Sequence, residues 1–266
     1  MVKNRAELHE TLTQILQAGG IPDAPLEAQW ILEDAKSEAD AWQIAQKRAN
    51  HEPLQYLLGK WEFYGLPLFV GEGVLIPRAD TETLVDAILQ RTSKQDALQI
   101  IDLCTGSGCI ALALKKHLPR ATVCGVDLST QALAYAEKNA RLHDLDIALK
   151  QADVCSQTIA DAFENVDVIV SNPPYLTAKD MQELQTEVTY EPALALAGGE
   201  DGLDFYRAIT KIWRDSLKPD GMLAFEVGIR QAESVQEILE DAGFSDVTII
   251  PDLCGVPRVV LGKRKL

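Results

Sequence analysis

The chain has 266 residues, of which 47% are hydrophobic, and a formal net charge of −15 at pH 7. This length and apolar content provide a substantial core for one large or two smaller domains and argue against a disordered chain. The acidic balance argues against tight binding to a nucleic-acid backbone, which needs clustered Lys and Arg, although it leaves room for a local basic groove.

Hydropathy and cysteine usage both indicate a cytoplasmic protein. No apolar run reaches the ~20 residues of a membrane span, and no basic-plus-apolar leader opens the sequence. The five cysteines are odd in number and include no C-x-x-C pair, which argues against a disulfide framework and structural zinc. We therefore expect reduced, mostly buried thiols, no metal and no membrane partner.

Residues 1–60 have the apolar spacing of a small N-terminal helical domain. Asn4 and Glu7 resemble a capping box at the start of its first helix. The second of four predicted helices carries Leu26, Trp30 and Ile31 on one face, which we expect to pack in the bundle core, and Ser37 can cap the third helix. We expect this bundle to contact a partner rather than a cofactor.

Residues 61–76 change to the shorter period of an extended chain. Two apolar triplets flank a Gly-Leu-Pro turn, which predicts a hairpin or an extended linker. A helix capped by Asp80 or Thr81 then follows near the start of the third and largest domain, residues 77–266.

Beyond residue 96, apolar strands alternate with helical patterns. Such alternation predicts an α/β fold with a doubly wound, largely parallel sheet. Ligands bind such sheets at the carboxyl ends of the strands, so the loops there form the candidate site. The predicted strands are Leu98–Leu103, Thr122–Asp127, Ile147–Gln151, Val166–Ser171, Met222–Val227, Val247–Ile250 and Val259–Gly262.

A tight glycine loop, Cys104-Thr105-Gly106-Ser107-Gly108, follows the first of these strands. Gly106 and Gly108 allow a ligand to approach the backbone, and the next helix offers free N–H groups at its N-terminus. The loop matches neither G-x-G-x-x-G nor a P-loop, which favours a nucleoside with an amino-acid tail over a diphosphate. The alternative is a glycine turn that serves only helix–strand packing.

Acidic residues end the next two strand regions. Asp127 lies about twenty residues past the glycines, where a carboxylate accepts hydrogen bonds from two ribose hydroxyls. Its alternative role is to cap the following helix, although Ser129 can do this itself. After the third strand, Asp153 could accept a hydrogen bond from an adenine amino group while Val154 packs on the ring. A loop aspartate without a ligand explains Asp153 nearly as well.

The fourth strand ends in Asn172-Pro173-Pro174-Tyr175. A planar substrate –NH2 group has two protons, and the Asn172 side-chain oxygen and the Pro173 carbonyl can accept both. These bonds would orient the nitrogen and stabilise the positive charge that it gains on attack. Tyr175 can stack on a planar group. The alternative is a strand that ends at prolines beside a surface tyrosine.

Asn172–Tyr175 resembles the Asn-Pro-Pro-Tyr motif of S-adenosylmethionine-dependent methyltransferases that modify planar amino groups. Further segments across about residues 52–266 resemble the HemK/PrmC family, the peptide chain release factor N5-glutamine methyltransferases. These segments are Glu52-Pro53-Leu54-Gln55-Tyr56, Leu75-Ile76-Pro77-Arg78, Thr81-Glu82, Asp102-Leu103-Cys104-Thr105-Gly106-Ser107-Gly108, Glu191-Pro192, Gly199-Glu200-Asp201-Gly202-Leu203 and Phe225-Glu226-Val227-Gly228.

The resemblance implies a Rossmann-like class I methyltransferase domain, with a seven-stranded, mostly parallel sheet, after a helical N-terminal domain. It implies methyl transfer from S-adenosyl-L-methionine to the glutamine of the Gly-Gly-Gln motif in a release factor. Thr105–Gly108 would line the methionine part, Asp127 the ribose, and Asp153-Val154 the adenine. Asn172 and Pro173 would be catalytic, and Asn172–Tyr175 would hold the glutamine.

Two departures accompany this resemblance. Cys104 replaces the usual glycine of the loop, and Ala79-Asp80 replaces a Pro-Glu pair. Cys104 has no evident paired base, which argues against a nucleophilic role. Arg78 and Glu191 either position the substrate or form an ion pair between structural elements.

Two other functions remain open. An enzyme that methylates adenine N6 in nucleic acid would share Asn172–Tyr175, but would also carry a basic groove. A binding module would hold S-adenosylmethionine without chemistry. For the favoured enzyme, direct displacement by an oriented amide needs no Asp or Glu base before attack, so we expect catalysis by positioning and no contact with nucleic acid.

Overall fold

The computed structural model describes residues 5–265, which begin with a helical bundle. Leu12, Leu16 and Ile31 are fully buried in its core. The Ser37 hydroxyl accepts a hydrogen bond from the Asp40 N–H, so the predicted cap is confirmed. The helices are α1 (Arg5–Ala18), α2 (Ala24–Asp34), α3 (Glu38–Ala49) and α4 (Leu54–Leu58).

The predicted inward face of α2 is wrong at Leu26, whose side chain is 45% exposed. Ile31 is buried as predicted, together with Ala24 and Ala28, and Trp30 is partly buried against the same core. Ala24, Ala28 and Ile31 recur at helical spacing on the buried face, so Leu26 lies on the exposed side of the helix. Asn4, where a capping box was predicted, lies outside the described residues.

An antiparallel hairpin of β1 (Lys60–Phe63) and β2 (Leu66–Phe69) follows, as one of the two predicted alternatives. A 3-10 turn, Ala79–Thr81, then leads into α5 (Glu82–Leu89). The predicted cap is wrong: Thr81 has helical backbone angles, φ −63° and ψ −22°, and its side chain makes no capping bond to the described backbone. Its hydroxyl has a different partner, at the candidate site.

Within residues 5–265 the chain builds a seven-stranded sheet in the order β5-β4-β3-β6-β7-β9-β8. β9 alone runs opposite to the other six strands of this sheet, so the predicted α/β class and mostly parallel sheet are confirmed. The strands are β3 (Gln99–Leu103), β4 (Thr122–Asp127), β5 (Ala148–Gln151), β6 (Val166–Ser171), β7 (Leu217–Glu226), β8 (Phe244–Pro251) and β9 (Pro257–Arg264). The helices among them are α6 (Cys109–His117), α7 (Thr130–Leu142), α8 (Gln157–Ala160), α9 (Asp204–Trp213) and α10 (Ala232–Asp241).

The strand order reverses between β3 and β6, which are parallel neighbours. From β3 the chain proceeds to β4 and β5 on one side, and β6 then continues toward β7 on the other. Loops at the carboxyl ends of β3 and β6 therefore diverge and leave a crevice, the usual ligand position of such sheets.

A hydrophobic core covers each face of this sheet. Ile100 faces the core that includes α5 and α6, whereas Ile101 faces the core that includes α9 and α10. Because both faces of the sheet are buried, the sequences of the central strands are almost continuously apolar. In the part of the chain from residue 5 to residue 265, no helix has the length and apolar character needed to span a bilayer.

Candidate active site

The glycine loop between β3 and α6 has left-handed backbone angles at Cys104 (φ 59°), Gly106 (φ 57°) and Gly108 (φ 80°). Glycine adopts this conformation freely, whereas a side chain costs about 1–2 kcal/mol there. A Cβ added at Gly108 would also lie 3.1 Å from the Ala136 Cβ, so this glycine permits close packing of the loop on α7. The loop therefore needs its glycines, and Cys104 is strained.

Asp127, at the end of β4, holds this loop in place. Its Oδ2 accepts from the Gly106 N–H at 2.8 Å, and its Oδ1 accepts from the Ser129 N–H at 2.8 Å. Burial raises the pKa of Asp127, and these backbone hydrogen bonds oppose that rise. A carboxylate has about four acceptor positions, so two remain for ligand hydroxyls. Ser129 itself caps α7 by accepting from the Ala132 N–H at 3.1 Å.

Asp102, on β3, holds the glycine loop through hydrogen bonds. It was not predicted as a site residue. It is fully buried, and its Oδ2 accepts from the Thr105 hydroxyl at 2.6 Å and from the Ala111 N–H at 3.2 Å. Its Oδ1 has no hydrogen-bond partner among residues 5–265. Burial raises the pKa of Asp102 to about 7.

A cavity of about 580 Å³ opens over the carboxyl ends of β3, β4 and β6. The loops after these strands contribute polar atoms, and Leu128, Ala132 and Phe205 add apolar wall. Most of the predicted site residues line it: Cys104, Thr105, Gly106, Ser107, Asp127, Asp153, Val154, Asn172 and Pro174. Gly108, Pro173 and Tyr175 do not line this cavity, although they are chain neighbours of residues that do.

Asn172 connects this cavity to a second one. A pocket of about 440 Å³ is lined by Asn172 together with Tyr175 and Arg78. The Asn172 Nδ2 donates to the Thr81 hydroxyl at 3.3 Å, which leaves its Oδ1 available as an acceptor. The Asn172 amide thus lies where the contents of the two pockets would meet.

Tyr175 forms part of the wall of the second pocket. Burial raises the pKa of its hydroxyl to about 12, so the hydroxyl remains protonated near neutral pH. Its backbone is held by Gln231, whose Nε2 donates to the Tyr175 carbonyl at 3.0 Å and whose Oε1 accepts from the Gly228 N–H at 3.0 Å. Gln231 was missed, because nothing in its local sequence indicates a contact so far along the chain.

Arg78 and Glu191 form an ion pair, one of the two alternatives left open by the sequence. The Glu191 carboxylate also accepts from the Ile76 N–H at 3.0 Å and is almost completely buried. Arg78 lines both pockets, so this pair fixes the segment before α5 at the mouth of the site.

Known proteins are similar in sequence to nearly the whole chain. Residues 79–199 match the family model described as methyltransferase small domain. A protein of Geobacter sulfurreducens named release factor glutamine methyltransferase is 41% identical over 263 residues, which cover 92% of this chain and 91% of that protein. The chain belongs to the release factor glutamine methyltransferase family.

A second relative with that name, from Moorella thermoacetica, is 37% identical over 271 residues and covers 94% of this chain and 95% of its own length. Among solved structures, a methyltransferase from Pyrococcus furiosus has a TM-score of 0.55 at 18% identity over 77% of this chain and 91% of that chain. This likeness shows the methyltransferase fold.

The cavity fits S-adenosylmethionine, the methyl donor of this family. Asp127 keeps acceptor positions for ribose hydroxyls, and Val154 and Leu128 provide apolar surface for a base. The Ser107 hydroxyl lines the cavity, is buried, and has no hydrogen-bond partner in the described chain, so it is available to a polar ligand group. A ligand that bonds to Ser107 would satisfy an otherwise unpaired buried group.

Cys104 lies at a position where the backbone is left-handed, with a φ of 59°. Glycine adopts this conformation without steric cost, which agrees with the glycine that the resemblance implies at this position. Burial raises the pKa of the Cys104 thiol well above its ordinary value, so the thiol stays neutral. Cys104 therefore forms cavity wall and lacks the thiolate that a nucleophile needs.

Proposed function

We propose that the protein transfers a methyl group from S-adenosylmethionine to the side-chain amide nitrogen (N5) of glutamine in the Gly-Gly-Gln motif of peptide chain release factors. The observation that carries this proposal is one cavity that contains the glycine loop, Asp127 and Asn172. Family membership supports the choice of substrate, because the relatives are named for that reaction. The substrate belongs to the translation machinery, so we propose a cytoplasmic location.

The cofactor half of the site is the side toward β4. We propose that Asp127 accepts from the ribose hydroxyls, and that Thr105, Gly106 and Ser107 border the methionine part. Asp153 and Val154 border the same cavity and would contact the base. When bound, the cofactor supplies an electrophilic methyl group on a positively charged sulfur.

The substrate half is the side toward Asn172. A neutral amide is a weak nucleophile, so its orientation must supply much of the rate. The Asn172 Oδ1 and the Pro173 carbonyl would accept the two amide N–H bonds and stabilise the charge that develops on nitrogen. The cofactor would supply the methyl group to the oriented nitrogen and leave as neutral S-adenosylhomocysteine, and the nitrogen would then lose one proton to solvent. Pro173 does not line the larger cavity, so its carbonyl would act from the adjoining backbone.

The second pocket provides an approach for a protein loop. It reaches Asn172 from the side of Arg78, and its rim carries Asp180 and Glu183. These carboxylates add to a chain whose net charge is −15, and they would repel the backbone of a nucleic acid. A protein partner is therefore favoured over adenine in DNA or RNA.

Labelled methyl transfer tests this proposal. Purified release factor should become labelled by the protein and S-adenosylmethionine, whereas the same factor with its motif glutamine replaced should not. DNA and RNA serve as competing substrates, and label in either one with none in the factor would favour the adenine enzyme. Cofactor binding without transfer to any of the three would favour a binding module.

A further inference from the structure

A buried carboxyl group lies beside Asn172 and has no part in the steps above. Glu226 is the last residue of β7, and the preceding pair, Ser171 and Phe225, lie opposite each other in the β6–β7 ladder. Glu226 is 1% exposed, and its Oε2 has no hydrogen-bond partner among the described residues. Burial of a carboxylate oxygen without a hydrogen-bond partner lowers the stability of the fold. Its presence at the reaction centre therefore suggests that Glu226 has a role in function.

The polar neighbours of Glu226 converge from several elements. Burial raises the pKa of its carboxyl to about 7, while hydrogen bonding by Thr81, the Arg258 charge and hydrogen bonding by Asn172 oppose that rise. The titratable and charged groups that face it are Arg258 on β9, Asp80 in the turn before α5, Tyr175 in the loop after β6, Tyr206 on α9 and Cys109 on α6.

These neighbours determine which end of the Asn172 side-chain amide faces the cavity. Its Nδ2 donates to the Thr81 hydroxyl, and an ionised Glu226 can only accept. The NH2 end of the amide therefore belongs on the side of Thr81 and Glu226, and the oxygen belongs on the side of the cavity. A flipped amide would place its oxygen against the carboxylate and present two donors to a substrate that itself offers N–H groups.

We propose that Glu226 is a positioning residue that, together with Thr81, holds the Asn172 amide with its oxygen toward the cavity and so selects a substrate –NH2 group. This inference rests on the proposed function. A protonated Glu226 can donate as well as accept, and it no longer distinguishes the two ends of the amide. Turnover should therefore fall as the pH drops through about 7, the pKa of this carboxyl.

The first test compares the kinetics of wild type and Glu226→Gln, which keeps the shape of the side chain but cannot ionise. We expect kcat at pH 8 to fall by about 10- to 100-fold, the usual effect of losing one charged hydrogen bond near a reacting group. We expect the affinity for S-adenosylhomocysteine to stay unchanged. The acidic limb of the wild-type pH–rate profile should disappear in the variant.

Asp167→Asn is the matched control. Asp167 lies near the opposite end of β6, where it accepts from the Gln99 N–H at 2.8 Å and pairs with Lys218, away from the larger cavity. The same carboxylate-to-amide change there should leave the pH profile intact. The melting temperature separates folding from function. The pKa of Glu226 is raised from its ordinary value of 4.5 to about 7 in the folded protein, so this carboxyl lowers stability as pH rises from 4.5 through about 7, and its effect is constant above that range. Glu226→Gln should thus not melt earlier at pH 8.

A second pair of variants tests the Thr81 link. Thr81→Val keeps the shape and removes the hydroxyl, whereas Thr81→Ser keeps the hydroxyl. We expect Thr81→Val to lose turnover and Thr81→Ser to retain most of it, at equal cofactor affinity.

Nuclear magnetic resonance supplies a readout that needs no turnover. The side-chain ¹⁵N–H signals of Asn172, assigned from their absence in Asn172→Ala, should shift with a midpoint near pH 7 in the wild type. They should not do so in Glu226→Gln.

Two results would overturn the positioning role: Glu226→Gln with wild-type kcat, or an acidic limb and Asn172 signals that titrate in that variant as in wild type. The second result would assign the titration to another buried carboxyl, such as Asp102. A wild-type protein that methylates no release factor would instead refute the proposed function, and the resonance experiment would still decide the role of Glu226.

Discussion

The binding of the cofactor should depend on Asp127 more than on any other single side chain of the cavity. Asp127→Ala removes the acceptor positions left after the bonds from Gly106 and Ser129 are counted. Asp127→Asn keeps one side-chain oxygen and replaces the other with a donor, which faces a backbone N–H or a ligand hydroxyl. Asp127→Ala therefore removes both side-chain oxygens that accept hydrogen bonds, and Asp127→Asn removes one of them.

The magnitude follows from the count of bonds. A hydrogen bond to an ionised group contributes about 1.5–3 kcal/mol, so loss of two bonds to ribose hydroxyls costs about 3–6 kcal/mol. This loss corresponds to an increase in Kd of about 10² to 10⁴ for Asp127→Ala. Asp127→Asn should lose one such bond and bind about 10- to 100-fold more weakly.

Isothermal titration calorimetry with S-adenosylhomocysteine measures these affinities without turnover. Asp167→Asn, which alters an aspartate at the other end of the sheet, controls for general effects of a lost carboxylate. Variants of Asp127 that bind within about threefold of wild type would refute the assignment of this residue to the ribose, since a factor of three is about 0.65 kcal/mol.

Other side chains of the site and core yield further predictions. Asn172→Ala should abolish most methyl transfer while leaving the Kd for S-adenosylhomocysteine within about threefold, as measured by the same calorimetry; a large loss of cofactor affinity would contradict its assignment to the substrate. Cys104→Gly should retain activity and change the free energy of unfolding by less than about 1 kcal/mol, because relief of the left-handed backbone offsets lost side-chain packing. Leu16→Ala should lower the free energy of unfolding by about 2–5 kcal/mol in urea, with no direct effect on the catalytic cavity.

The parts of the fold that depend on local sequence were predicted correctly. The strands of the sheet were found because central strands buried on both faces must be apolar throughout. Ser37 was recognised as a cap because a cap and its backbone partner lie within one helical turn. The carboxyl-end loops were found because glycine spacing and a following acid form a pattern short enough to recognise.

The parts that depend on distant contacts were missed. Thr81 looked like a cap from its neighbours, but its hydroxyl accepts from Asn172, which lies on another element. Glu226 lies in a segment that carries the family resemblance, but its proximity to Asn172 and the bond from Gln231 to Tyr175 have no local signal, since they arise only where β6 and β7 end together. Leu26 was placed inward by its hydropathy, yet α2 packs on the face that contains Ala24, Ala28 and Ile31.

Tandem mass spectrometry of the release-factor peptide that contains the Gly-Gly-Gln motif tests the proposed function most directly. After incubation with S-adenosylmethionine and the wild-type protein, we predict a gain of one methyl group on the glutamine side chain, and no gain with Asn172→Ala. A methyl group on any other residue of the factor, or an unmodified glutamine beside methylated DNA or RNA, would contradict the proposed function.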